Sequence, residues 1–198
     1  MINMLKIIFI TIVAINMNHT INAQTTNNAF SSALISDSAK PEKKEYLTLF
    51  GQFIGSWTFD WIGCNEDGSK DVVKGGEWIF SWILEGRAIQ DVWICPGRNT
   101  RYLDGYPEGE YGTTIRHYDP EIKKWRIIWL GPVTNKIGFF TAEKIGDEIV
   151  LSDNESEEVK RKWIFSEITE NSFRWREEKL KENSSLWQIT QEFICIKK

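Results

Sequence analysis

Histidine is almost missing from this chain. Of 198 residues only His19 and His117 carry an imidazole, so no Ser/His/Asp set is compelling and no His-x-x-x-His metal motif can form. Cysteine is scarce too. Cys64, Cys95 and Cys195 are an odd number, so at least one thiol stays unpaired within the chain. None has zinc-site spacing, and no Gly-rich phosphate loop occurs. Basic residues do not outnumber acidic ones: 24 against 28, a net charge of −4. That balance gives no electrostatic reason to expect a nucleic-acid partner. Beyond the first two dozen residues no run reaches the roughly 18 apolar residues of a membrane-spanning helix. From these absences we expect no metal and no cofactor.

The N-terminus has a layout of its own. Met1–Lys6 bears one positive charge, and Ile7–Met17 is apolar except at Thr11 and Asn16. Ile21-Asn22-Ala23 then places a small residue before Gln24. This is the pattern of a secretory signal peptide over residues 1–23, with no Cys after the apolar run to take a lipid. An uncleaved anchor helix is the alternative, and the run is short for it. The expectation is a periplasmic or secreted protein with no stable membrane anchor after cleavage. In that setting Cys64 and Cys95, near strand ends, either pair or remain core thiols.

Residues 24–40 are rich in Ser, Thr, Asn and Ala and read as a flexible leader. The folded domain is expected over residues 41–198. Pro41 opens a helix with Tyr46, Leu49, Phe50 and Phe53 on one stripe, ending before Gly55. Aromatic residues, by contrast with histidine and cysteine, are abundant. Ten tryptophans, eleven phenylalanines and five tyrosines occur, most of them in short alternating runs after the helix.

Trp57, Phe59 and Trp61 share one strand face; Gly76, Trp78, Phe80, Trp82 and Leu84 share another. Asp67-Gly68, Glu85-Gly86, Asp119-Pro120, Gly146-Asp147, Glu170-Asn171 and Asn183-Ser184 supply the turns. The central hairpin runs from Tyr111 to Trp129, with Gly112, Thr114, Arg116 and Tyr118 on one face. Residues 96–110, with Arg98, Arg101, Tyr102 and Tyr106, form a loop long enough for a lid or simply mobile. About ten antiparallel strands in an up-and-down order do best to close on themselves. The fold class read here is all-β, a barrel with a short N-terminal helix.

A helix leading into Gly55-Ser56-Trp57 resembles the Gly-x-Trp start of the lipocalins and their relatives, the calycins. Gly86–Trp93, Tyr111–Arg116 with Tyr118-Asp119-Pro120, Trp125–Trp129 and Ser172–Arg176 resemble a lipocalin-like bacterial family of unknown function. The likeness spans roughly residues 45–196 and implies a calycin-type barrel with a central cavity and Trp57 across its closed base. A haem-binding branch of the calycins uses a histidine on a late strand. Here His117 lies on the fourth expected strand, opposite in parity to Arg116 and Tyr118, so haem ligation is not carried over.

The residues then expected at a binding site are Trp61, Trp78, Trp82, Trp129, Trp163 and Trp175 as aromatic lining, with Gln90, Arg116, Tyr118 and Glu178 as polar contacts. Aromatics also fill ordinary cores. Arg116 reads either as half of a buried ion pair, with Glu178 or Glu192, or as an anion anchor. Parity leaves open whether Arg176 and Glu178 or Trp175 and Glu177 face inward, because a bulge before Leu180 reverses the choice. Three functions fit: a binder of a small apolar or amphipathic molecule, an enzyme using a carboxylate such as Asp91, Glu178 or Glu192, or a structural module with a filled core.

Overall fold

A computed structural model describes residues 29–103, 109–153 and 160–198. The expected signal peptide, Tyr106 and most of the acidic stretch Asp153–Glu158 lie outside the described residues.

Residues 29–34 are helical (α1), and Ile35–Ser36 form a two-residue strand, β1, paired with Ile83 and Trp82. The segment expected as a loose leader is thus tied down in part. Its anchor is Gly86, whose N–H donates to Ser36 Oγ (2.9 Å) and whose carbonyl accepts from Lys40 N (2.9 Å). Gly86 has φ +72°, and a Cβ there would fall 2.1 Å from the Ser38 carbonyl oxygen, so glycine alone fits.

A 3₁₀ turn, Pro41–Lys43, leads into helix α2, Lys44–Gly51. Its buried residues are Leu47 and Phe50, followed by Phe53. Tyr46 stays exposed and stacks on Tyr118, with centroids 4.7 Å apart.

Ten further strands complete the chain: β2 (Gly55–Cys64), β3 (Lys70–Ile83), β4 (Ala88–Cys95), β5 (Glu110–Asp119), β6 (Lys124–Gly131), β7 (Lys136–Ile145), β8 (Glu148–Asp153), β9 (Arg161–Ser166), β10 (Ser172–Leu180) and β11 (Trp187–Lys197). Each pairs antiparallel with the next, and β11 returns to β2, so the sheet closes into an up-and-down barrel. No helix among the described residues is long and apolar enough to cross a membrane.

One end of the barrel is stoppered. Phe50 meets Trp125 and Phe165 (4.9 and 5.9 Å between centroids), and Phe53 meets Phe165 and Phe173 (5.0 and 4.7 Å). Trp57 lies across this base, its indole N–H bonded to the Phe53 carbonyl at 2.7 Å. Filling an opening with aromatic rings excludes water from the strand ends and contributes several kcal/mol, at about 25 cal/mol per Å² of apolar surface.

The three cysteines are free. Cys95 and Cys195 are buried and Cys64 is half-buried. Cys64 and Cys95 lie on strands separated by β3, so the disulfide reading does not hold.

Candidate functional site

The stoppered end leaves a space above it. Residues from β3 to β11 enclose a cavity of about 450 Å³, running from Arg116 toward the end of the barrel opposite α2. Alternation positions its walls, since every second residue of each strand points inward.

Its floor is polar. On β4 and β5, Asp91 is paired with Thr114, and Ile89 with Arg116, which sets Asp91 diagonal to the guanidinium. The Asp91 carboxylate accepts from Arg116 Nη2, from the Thr114 hydroxyl, and from Thr114 N at 3.3 Å. Both charged side chains are shut off from solvent, at 1% and 0% exposure. Burial pulls the Arg116 pKa down from its ordinary value, and Asp91 pulls it back up. The guanidinium carbon sits 4.8 Å from the Phe50 ring centroid and 5.3 Å from that of Phe80, joining the floor to the stopper.

The ion pair expected between Arg116 and Glu178 or Glu192 is therefore made with Asp91 instead. Glu178 takes Arg176 (Nε–Oε1 2.7 Å), and Glu192 takes Arg174 and Lys70, none of which lines the cavity. In the β10–β11 register Glu177 sits opposite Gln191 and Glu178 opposite Ile189, so the extra residue, Thr190, lies in β11; β10 alternates without a break, and Trp175, Glu177 and Lys179 share the inner face.

The walls are aromatic and continuous. Centroid contacts run from Trp93 to Trp129 (6.4 Å), Trp163 (5.8 Å), Trp175 (5.6 Å), Phe193 (4.8 Å) and back to Trp93 (6.4 Å). This circuit joins β4, β6, β9, β10 and β11. Trp78 completes the lining, 6.4 Å from Trp175.

The rim is charged, and its carboxylates are already occupied. Glu110 accepts from the Thr134 hydroxyl (2.6 Å) and from the N–H groups of Val133, Thr134 and Tyr111 (3.0, 3.0 and 3.1 Å). Burial tends to raise its pKa, but these donors outweigh burial and hold it below the usual carboxylate range. Glu177 behaves alike: burial raises, and the Trp163 indole N–H (2.9 Å), the Thr190 hydroxyl (2.7 Å) and Lys179 (3.2 Å) prevail to lower it. Arg161 pairs with Asp153 at 3.6 Å, and Lys136 stands exposed beside it on the lining.

Five of the ten residues expected at the site come together on the cavity: Trp78, Arg116, Trp129, Trp163 and Trp175. The others do not. Trp61 stands behind the wall, donating its N–H to Gln191, which does line it (2.6 Å). Trp82 packs under the helix, where a Cβ on Gly51 would come within 2.8 Å of its ring. Tyr118 lies below the floor against Tyr46. Gln90 faces outward between buried Ile89 and Asp91 and bonds Thr113 Oγ1 at 3.0 Å. Glu178 alternates with Glu177 and Lys179 and so faces outward. Trp93, Glu110, Arg161, Glu177 and Lys179 line the cavity without having been expected as contacts, and Asp91, named only as a candidate catalytic carboxylate, lies beneath it as the partner of Arg116. His117 is exposed, on the outer face as its parity implied.

No protein-family model and no curated protein sequence matches the chain. Several solved structures are similar in shape, and two of them show how far the likeness goes. One is Rv2717c from M. tuberculosis, with a TM-score of 0.52 and 13% identity, over 81% of this chain and 99% of that one. The other is the S-type phycobiliprotein lyase CPES from Guillardia theta, with a TM-score of 0.49 and 10% identity, over 80% of this chain and 98% of that one. At such low identity the likeness to Rv2717c speaks to the fold alone, a calycin-like barrel.

Proposed function

We propose that this barrel binds a small, largely apolar or ring-containing molecule, held among the indoles with its polar part toward floor or rim. One observation carries the reading: a closed aromatic circuit surrounds unfilled space. A cavity of about 450 Å³ falls inside the range of about 300–1,000 Å³ typical of small-molecule sites, which are mostly apolar with a few convergent polar groups. A structural module with a filled interior would leave no such volume, because cores pack to near-crystalline density.

The enzyme reading draws less support. A general acid near neutral pH needs a carboxyl whose pKa is raised. Glu110 and Glu177 are pushed the other way, and Asp91 is engaged by Arg116 and Thr114. Export, and membership of the lipocalin-like bacterial family, belong to the same proposal. They rest on the N-terminal pattern and on the segments from Gly86 to Arg176.

The test is native mass spectrometry of freshly purified protein, followed by titration with 1-anilinonaphthalene-8-sulfonate. We expect a small-molecule adduct, or saturable one-to-one probe binding that quenches tryptophan emission. A bare chain mass together with no probe binding would remove the proposal.

A further inference from the structure

The outer wall of the barrel is polar in one place and apolar in another. On β10 the outward residues include Arg174, Arg176 and Glu178, each held in an ion pair. The outer face of β5, β6 and β7 differs. Ile115 pairs with Ile128, and Ile128 with Phe139. Two residues further along, Thr113 pairs with Leu130, and Leu130 with Ile137. These rows alternate with Thr114, Trp129 and Gly138, which line the cavity, so they stand together on the opposite face. Their five apolar side chains are between 42% and 59% exposed.

Single exposed apolar residues are ordinary, but a contiguous block across three paired strands is not. At about 200 Å² for a large apolar side chain in the open, the five leave about 500 Å² facing water. That is a patch of the size that marks an interaction surface. Its border carries no charge of one sign. Arg126 pairs with Asp119 (2.6 Å) and Lys124 with Glu143 (2.7 Å), and the whole chain is at −4. A bilayer with an anionic surface draws in basic faces, and this one offers it nothing.

We infer that the patch is covered by the same patch of a second copy of the chain. Two such faces together remove about 1,000 Å² of apolar surface from water, the area that a stable interface must clear. The side chains at the border add to it. Symmetry favours the pairing as well. β6 is the middle strand of the block, so a two-fold axis over it, between Ile128 and Leu130, lays the block on itself, as in isologous dimers. Because β6 is paired on both sides, the copies meet by faces rather than edges, with their sheets about 10 Å apart. The cavity lies behind this wall, so the inference stands apart from the binding proposal.

Sedimentation velocity of the full chain, from about 1 to 100 μM, tests it. A species of twice the chain mass should give way to the single chain on dilution. Ile128→Glu and Phe139→Glu each place a carboxylate in the block, and two-fold symmetry brings in a second one. Either change should weaken association about tenfold or more. Ile194→Glu alters a side chain just as exposed, at 57%, but on β11 across the barrel, and should leave association unchanged. Near-UV circular dichroism identifies the variants that keep the native fold.

A single-chain mass at every concentration would overturn the inference, and so would equal effects of all three substitutions. A monomer that floats with phosphatidylcholine vesicles, and loses this on Ile128→Glu, would also overturn it and give the face to lipid.

Discussion

Gly112 on β5 lies diagonally across from Trp129 on β6, under its ring, with no room for a methyl group. A Cβ at position 112 would lie 2.3 Å from Cη2 and 2.7 Å from Cζ2 of the indole, with the Leu130 carbonyl oxygen 2.8 Å away on another side. The glycine is what allows one panel of the cavity wall to lie flat.

Gly112→Ala should therefore push the Trp129 ring out of place. We expect a loss of about 1–3 kcal/mol of stability, as in overpacked cores, with weaker probe binding and a shifted tryptophan emission maximum. Urea unfolding and fluorescence titration read the two effects separately.

Glu177 should impose a pH dependence of known sign. Its folded pKa lies below the ordinary 4.5, so the folded state binds the proton less readily than the unfolded chain does. The resulting stabilisation is complete above about pH 5 and is lost as pH falls through the folded value. Glu177→Gln should cost about 1–3 kcal/mol at pH 7. The gap between variant and native protein should close as the pH drops below the ordinary carboxylate range. Unfolding free energies across that range check it; a gap that stays constant would contradict the assignment.

The buried pair on the floor should be costly to break and cheap to remove. Asp91→Asn leaves the guanidinium without its counter-charge, and a loss of about 3–5 kcal/mol is expected. Replacing both partners by apolar residues, Asp91→Leu with Arg116→Met, should cost clearly less than the sum of the single changes. A double-mutant cycle by denaturant unfolding measures the coupling.

The thiols should differ in reactivity. Burial pushes the Cys95 thiol up to about 12, leaving about one thiolate in ten thousand at pH 8, and burial likewise raises Cys195 well above the usual thiol range. An aromatic disulfide reagent should titrate Cys64 in the native protein and reach the other two only after unfolding. Rapid titration of all three would refute the packing described.

The strands are legible in the sequence because tryptophan and phenylalanine alternate with polar residues and because glycine-containing turns punctuate them. Only β3 begins earlier than its pattern announces, over Lys70–Lys74, where no apolar face exists to read. The site is half legible, for two physical reasons. On β4 both faces are apolar, Ile89 and Trp93 on one and Val92 and Ile94 on the other, so alternation does not tell that Asp91 rather than Gln90 points inward. On β10 charged residues stand on both faces of Arg174-Trp175-Arg176-Glu177-Glu178, so alternation does not tell that Glu177 rather than Glu178 points inward. Parity also carries no height. Trp82 falls beneath the cavity at α2, and Trp61, past the shift in register between Phe59 and Trp61, falls behind its wall. The rim residues Glu110, Lys136 and Arg161 open their strands without any motif, and only the closed barrel gathers them.

The seam between β2 and β11 has a consequence for how the molecule is made. Trp61 and Gln191, bonded across it, are 130 positions apart, so the first full strand of the hoop must wait for the last to emerge. Until then a tryptophan-rich ribbon has two raw margins open to neighbouring chains. Newly made polypeptide, rather than finished protein, is where clumping should begin, and a truncation just short of Trp187 should be far less soluble than its small loss in length implies.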